Sequence, residues 1–121
     1  MSGTPTIGGI LIGSRDPERL RRWYAAALAT EPDDEGVMHV GAVPLVIAAR
    51  GDVSACNPEP QRLILNVNVD DVAAYESTLV AMGAEWVREL ETTPWGRIAT
   101  VVDPDGNYLQ LIENDSRGRS A

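Results

Sequence analysis

The segment Asp103-Pro104-Asp105-Gly106-Asn107 lies directly before an apolar, strand-like run at residues 108–113, and together they decide the fold. Proline holds its own φ near the value that a turn needs, and glycine readily adopts a positive φ. A second strand-like run, residues 97–102, ends immediately before the segment. The pattern therefore predicts a β-hairpin that joins the last two strands of the chain.

Upstream of this hairpin, the same order of elements occurs twice. Asp16, followed by Pro17, and Asp71 are each expected to cap the N-terminus of a helix, and they stand 55 residues apart. Tyr24 falls on the apolar face of the first helix and is expected in the core. Strands are predicted at residues 7–12, 37–40 and 43–48 in the first half, and at 63–69, 85–90, 97–102 and 108–113 in the second half, whose helix ends at Gly83. Such an internal repeat predicts two modules around a shared pocket.

The length of 121 residues suits one hydrophobic core, so we expect a single domain. Module one should span about residues 5–50 and module two about residues 62–114. The stretch between them, about residues 51–61, contains Asn57, Pro58 and Pro60 and is interpreted as a linker. The polar tail at residues 115–121 is expected to be frayed.

Composition and charge exclude several classes of function. The net charge is −8, so we expect no binding to nucleic acid or to an anionic membrane surface. No apolar stretch is as long as a membrane span, and the first residues lack the pattern of a secretory signal. We therefore expect a cytoplasmic protein whose ligand is a neutral or cationic small molecule.

The chain has one cysteine and one histidine, and neither predicts a catalytic site by itself. Cys56 lies in the linker without a basic residue close in sequence that would activate a thiol. His39 lies in a predicted strand without a carboxylate beside it in sequence, which favours a surface or packing role. Whether His39 serves a site is left open.

Several of these features together resemble one known family. They are Asp16-Pro17-Glu18-Arg19-Leu20 and Trp23-Tyr24 in the first half, and Trp95-Gly96-Arg97 with the turn at residues 103–107 in the second half. Over residues 7–113 the chain is similar to the vicinal oxygen chelate superfamily, which includes glyoxalases, bleomycin-resistance proteins and extradiol dioxygenases. The resemblance implies an α+β fold in which two paired βαβββ modules form a curved mixed sheet around a cavity. It also implies a homodimer.

In the metal-dependent members of that superfamily, His, Glu or Gln side chains on the first and last strand of each module hold a divalent cation. The corresponding first-strand positions here are Gly9 and Ile64. The last-strand positions are Gln110 and, within one or two residues, Leu45. Only Gln110 carries a donor atom, and one amide oxygen does not make a metal site. We therefore expect neither a metal nor another cofactor.

Alternation along the strands predicts which side chains line the cavity. The expected ligand-binding residues are Leu11, Asn66, Asn68, Trp95, Tyr108 and Gln110. Trp95 is placed at the cavity mouth, where its indole ring could stack on a planar or cationic ligand. The alternatives are that Asn66 and Asn68 only face solvent and that Trp95 only packs against the protein. No catalytic residue is assigned.

Three functions remain open. The favoured hypothesis is a protein similar to the bleomycin-resistance branch, which binds and sequesters a hydrophobic, aromatic or cationic drug or metabolite without a metal. The second is a metal-independent enzyme of the lyase or isomerase type that acts on a small metabolite. The third is a non-catalytic regulatory or accessory module. The sequence contains no evident pair of nucleophile and base, so we rank binding above catalysis.

Overall fold

The computed structural model of the protein describes residues 3–114, which form seven strands, two α-helices and one short 3-10 helix. In chain order these elements are β1 (Ile10–Ser14), α1 (Pro17–Ala27), β2 (Met38–Val40), β3 (Val43–Ala49), the 3-10 helix (Pro60–Arg62), β4 (Leu65–Asn68), α2 (Val72–Ala81), β5 (Glu85–Thr93), β6 (Gly96–Val102) and β7 (Tyr108–Asn114). The tail that we expected to be frayed, residues 115–121, lies outside the described residues. Within residues 3–114, neither α-helix has the length and apolar character needed to cross a membrane.

The strands form two sheets that share one connection pattern. The first sheet has the order β1-β3-β2, and the second has the order β4-β7-β6-β5. In each sheet the first strand pairs in parallel with the last strand, and the remaining pairs are antiparallel. This arrangement confirms the α+β class and the repeat. Over residues 3–114 the first module has the order βαββ, one strand fewer than the expected βαβββ.

A compact turn replaces the extra strand between α1 and β2. The Asp33 carboxylate accepts hydrogen bonds from the backbone N–H groups of Glu35 and Val37 at 2.9 and 3.0 Å. The Asp33 N–H donates to the Val37 carbonyl at 2.9 Å, and Pro32 has no N–H to offer to a strand partner. The turn therefore uses the backbone groups that a further strand would need.

Both predicted helix starts are confirmed. Asp16 accepts a hydrogen bond from the Arg19 N–H at 3.3 Å, and Asp71 accepts one from the Ala73 N–H at 3.2 Å. The first strand lies further along the chain than residues 7–12, because its pairing with β3 covers Ile10–Ser14. Residues 7–9 are exposed and lie outside this pairing.

The predicted hairpin forms, and its turn is also buried between the modules. We call residues 103–107 the Asp103 turn. Asp103 is 3% exposed, and its carboxylate accepts hydrogen bonds from the backbone N–H groups of Asp105 and Asn107 at 2.8 and 2.9 Å and from Asn107 Nδ2 at 2.9 Å. It also accepts the Tyr24 hydroxyl at 2.7 Å. This last contact joins module two to α1 of module one.

Further contacts attach α1 and the linker to the same turn. Arg19 on α1 approaches the Asp105 carboxylate at 3.2 Å. Asn57 in the linker donates its backbone N–H to the Asp105 carbonyl at 2.8 Å, and its Nδ2 donates to Asn107 Oδ1 at 2.9 Å. The Asp103 turn is therefore a contact point for three segments that are far apart in sequence.

The Tyr24 hydroxyl predicts a dependence of stability on alkaline pH. Burial, together with the neighbouring Asp103 carboxylate, raises the pKa of Tyr24 well above its usual value. Near and above pH 10 the folded state keeps a proton that the unfolded state releases, so the free energy of unfolding should fall as pH rises. We expect Tyr24→Phe to lose about 1–2 kcal/mol at pH 8 and to lack this alkaline decline. Urea unfolding of both proteins at pH 8 and 10.5 tests this, and parallel pH profiles would contradict it.

Candidate functional site

The second sheet has one face that packs in the core and one that does not. Leu109 and Leu111 of β7 are 0% and 1% exposed and belong to the core that includes α2. The residues that alternate with them, and their partners on β4 and β6, point to the opposite side. We call that side the open face; it consists of Asn66, Asn68, Ile98, Thr100, Val102, Tyr108, Gln110 and Ile112.

Three hydrogen-bonded polar side chains cross the centre of the open face. Thr100 Oγ1 lies 2.8 Å from Gln110 Oε1. Gln110 Nε2 in turn donates to Asn66 Oδ1 at 2.6 Å. We call these three residues the amide row. They occupy directly paired positions on β6, β7 and β4, which is why their side chains meet.

Apolar side chains border the amide row on both sides. Val102 pairs with Tyr108 on one side, and Ile98 pairs with Ile112 on the other. All four are partly exposed, so they form an accessible apolar surface around a polar centre. Small-molecule sites are commonly built in this way, with few hydrogen-bonding groups in an apolar lining.

A cleft of about 370 Å³ adjoins this face between β1 and the start of β4. Its lining includes Leu11 and Leu63, which are 66% and 85% exposed, and Tyr108 of the open face. Because β1 and β4 are both edge strands, the cleft lies between the two sheets. Tyr108 therefore links the cleft to the open face.

The structure brings together four of the six side chains expected to bind a ligand. Asn66 and Gln110 are in direct contact in the amide row. Leu11 and Tyr108 line the same cleft. Thr100 completes the row and was not among the predicted site residues. Its alternation with Ile98 and Val102 along the strand would have placed it on this side of the sheet.

The other two predicted residues belong neither to the amide row nor to the lining of the cleft. Asn68 is exposed at the end of β4, where it pairs with Ile112 at the border of the open face. Trp95 occupies the turn between β5 and β6 and is 79% exposed, so the core-packing alternative does not describe it. It does not line the cleft between β1 and β4.

The positions that correspond to metal ligands do not provide a fitting donor set. Gly9 and Ile64 have no donor atoms, and Leu45 is 1% exposed in the core with a proline and a valine as neighbours. Leu45 also borders a small cleft between the two sheets, and its side chain has no donor atom. The Gln110 oxygen already accepts from Thr100. Over residues 3–114, no group of three or more His, Cys, Asp or Glu side chains is arranged to hold a metal ion.

His39 has a carboxylate partner that its neighbours in sequence did not reveal. Its Nε2 lies 2.9 Å from Asp33 Oδ2. The hydrogen bond from His39, with those from the Val37 and Glu35 N–H groups, lowers the pKa of Asp33. Both side chains are substantially exposed, and the strand pairing places His39 beside Pro44. The two residues form an oriented pair at the edge of the first sheet.

The chain is similar to known proteins both in sequence and in fold. A family model described as a glyoxalase-like domain matches residues 9–112. No protein with a curated description has a significantly similar sequence. Among solved structures, TioX from Micromonospora sp. ML1 is 19% identical with a TM-score of 0.69, and the alignment covers 92% of this chain and 100% of that one.

Two further structures share the fold. TnmS3, an antibiotic-binding protein from Streptomyces sp. CB03234, is 23% identical with a TM-score of 0.68, over 95% of this chain and 100% of that one. A glyoxalase-related enzyme from Fulvimarina pelagi is 20% identical with a TM-score of 0.74, over 92% of this chain and 89% of that one. At these identities the likeness extends to the fold alone, which serves binding and catalysis in different proteins.

Proposed function

This chain belongs to the glyoxalase-like domain family, and on that premise we propose that it binds a small apolar, aromatic or cationic molecule without a metal ion. The observation that carries the proposal is the amide row, a linked set of polar side chains bordered by apolar residues of the open face. Three of the four positions that correspond to metal ligands have no donor atom in their side chains, which supports binding without a metal. The antibiotic-binding activity named for TnmS3 makes a drug or metabolite the natural class of ligand.

We further propose that the protein acts as a cytoplasmic homodimer in which a second copy covers the open face. Within one chain this face is bordered by the cleft, whose residues Leu11 and Leu63 are highly exposed. Apolar surface of this kind is characteristic of interaction sites. Covering it would also remove the amide row from water, which strengthens each hydrogen bond to a ligand.

The experiment combines native mass spectrometry with equilibrium dialysis. The spectrum should show a metal-free dimer. Dialysis should show binding of at least one of three tricyclic aromatic probes: fluorene, 9-fluorenone or the cation proflavine. Ile112→Arg, which puts a charge on the open face, should weaken the binding at least about tenfold. Val80→Arg, on an exposed position of α2, should leave the binding unchanged.

The outcomes separate the competing functions. Binding that Ile112→Arg and Val80→Arg reduce equally would place the ligand elsewhere and contradict the proposed site. A bound stoichiometric metal would contradict the metal-independent reading. Failure of every probe to bind would favour the accessory-module hypothesis.

A second candidate function rests on the His39–Asp33 pair. A histidine oriented by a carboxylate at 2.9 Å has the geometry of a general base. It favours a metal-independent lyase or isomerase if the ligand reaches the edge of the first sheet. Chromatography and NMR spectroscopy of the recovered ligand distinguish the two functions, since only catalysis changes its covalent structure.

A further inference from the structure

We propose that the amide row selects a ligand with a hydrogen-bond acceptor, such as a ketone, amide or ester carbonyl, and that Asn66 Nδ2 is the donor. The proposal rests on the binding function above and narrows its ligand class. It follows from the direction in which the hydrogen bonds of the row run.

The buried end of the row sets that direction. Thr100 is 4% exposed, so its hydroxyl proton needs an acceptor inside the protein. The Gln110 Oε1 atom lies 2.8 Å away and supplies it. This contact fixes the Gln110 amide with its oxygen toward Thr100 and its nitrogen toward Asn66. Rotating the amide would put two donors against one another or leave the buried proton unpaired.

The orientation of Gln110 then fixes Asn66. Gln110 Nε2 is purely a donor, so the Asn66 atom 2.6 Å from it must be the acceptor Oδ1. The Nδ2 atom consequently points away from Gln110. Within residues 3–114 this atom makes no hydrogen bond, and Asn66 is exposed. The exposed end of the row therefore presents N–H donors and not an amide oxygen.

Charged groups on β5 lie beyond the Thr100 end of the amide row. Arg88 pairs with Thr100 and is bound to Glu91 at 3.3 Å, while Glu85 pairs with Val102. The carboxylates are thus on the β5 side, and Glu91 is already in an ion pair. The β4 side carries only the neutral amides. A ligand carbonyl can therefore accept a hydrogen bond at the β4 end of the open face without facing a carboxylate.

Two structurally matched variants test the role of Asn66. Asn66→Asp keeps the oxygen that accepts from Gln110 and replaces the donating nitrogen by a charged oxygen. Gln61→Glu makes the same change from amide to carboxylate at an exposed residue of the 3-10 helix, outside the open face and the lining of the cleft. Both positions are exposed, so we expect both variants to fold, and their thermal melting checks this.

The ligand pair is fluorene and 9-fluorenone, which differ by one carbonyl group. We expect the wild-type protein to bind 9-fluorenone about tenfold more tightly than fluorene. Asn66→Asp should abolish this preference, and Gln61→Glu should retain it. In ¹⁵N spectra, the Asn66 side-chain amide signals should shift with 9-fluorenone and not with fluorene.

The results separate this proposal from the binding function. Equal binding of the two ligands, with both sensitive to Ile112→Arg, would overturn the selection by Asn66 and leave the binding function intact. A carbonyl preference that survives Asn66→Asp would also overturn it. Absence of binding for every probe, proflavine included, would overturn both proposals.

Discussion

Replacing Asp103 with alanine is expected to lower the free energy of unfolding by about 4 kcal/mol. The carboxylate is almost completely buried and accepts four hydrogen bonds, from Asp105, Asn107 and Tyr24. Its removal leaves these buried donors without their acceptor. The loss should also release α1 from the turn, because the Tyr24 contact joins the modules.

Urea unfolding followed by tryptophan fluorescence measures this effect. Asp52→Ala is the matched control, since Asp52 is an exposed aspartate whose partner, Arg50, is also exposed. Exposed pairs contribute little to stability, so its unfolding midpoint should stay close to that of the wild type. If Asp103→Ala shifts the midpoint no further than the control does, the Asp103 turn is not the structural contact point described above.

Replacing Gly106 with alanine is expected to cost about 3 kcal/mol. Gly106 has a φ of 86°, which residues with a side chain rarely adopt. A Cβ atom at this position would lie 2.7 Å from Cys56 Sγ and 3.1 Å from the Asn57 backbone nitrogen. Since Asn57 N donates to the Asp105 carbonyl, the linker cannot move away without breaking that hydrogen bond.

Gly83→Ala separates the two causes of this loss. Gly83 has a similar φ of 72°, but no atom lies within 4 Å of the Cβ position. Its substitution should therefore cost only the backbone term, about 1 kcal/mol. The difference between the two variants in the same urea titration measures the packing of the linker on the turn. Equal losses would show that this packing contributes nothing.

The sequence was most informative where the physical cause of a structure is local. An aspartate before a helix and a glycine in a turn act within a few residues of themselves. Asp16 and Asp71 were therefore placed correctly, as was the hairpin at residues 103–107. Module one lacks one strand of the expected βαβββ order, because in the turn between α1 and β2 the Asp33 side chain accepts hydrogen bonds from the backbone.

Contacts between distant residues were not accessible in the same way. Tyr24 was expected in the core from its helical spacing, but nothing in that spacing identifies Asp103, 79 residues away, as the partner of its hydroxyl. His39 lacked a visible partner because Asp33 approaches it through a turn. In a single sequence, such pairs leave no periodic signal.

In the site, the side of the sheet on which a residue lies has a local cause, whereas the contacts between strands do not. Alternation along strands correctly put Asn66 and Gln110 on one side of the sheet, since two residues per repeat is a local property. Their direct contact depends on the register between β4 and β7, which the sequence left undetermined. Alternation could also have placed Thr100 on this side, but its contact with Gln110 required the register between β6 and β7.

The Tyr24–Asp103 hydrogen bond also bears on how such a duplicated chain can change over generations. Each residue belongs to a different module, yet each completes the burial of the other. A recombination event that exchanged only one module would leave either an unpaired phenol or an unpaired carboxylate in the interior. Although the two halves look like copies of one unit, we therefore expect neither to be replaceable unless its substitute supplies the same partner.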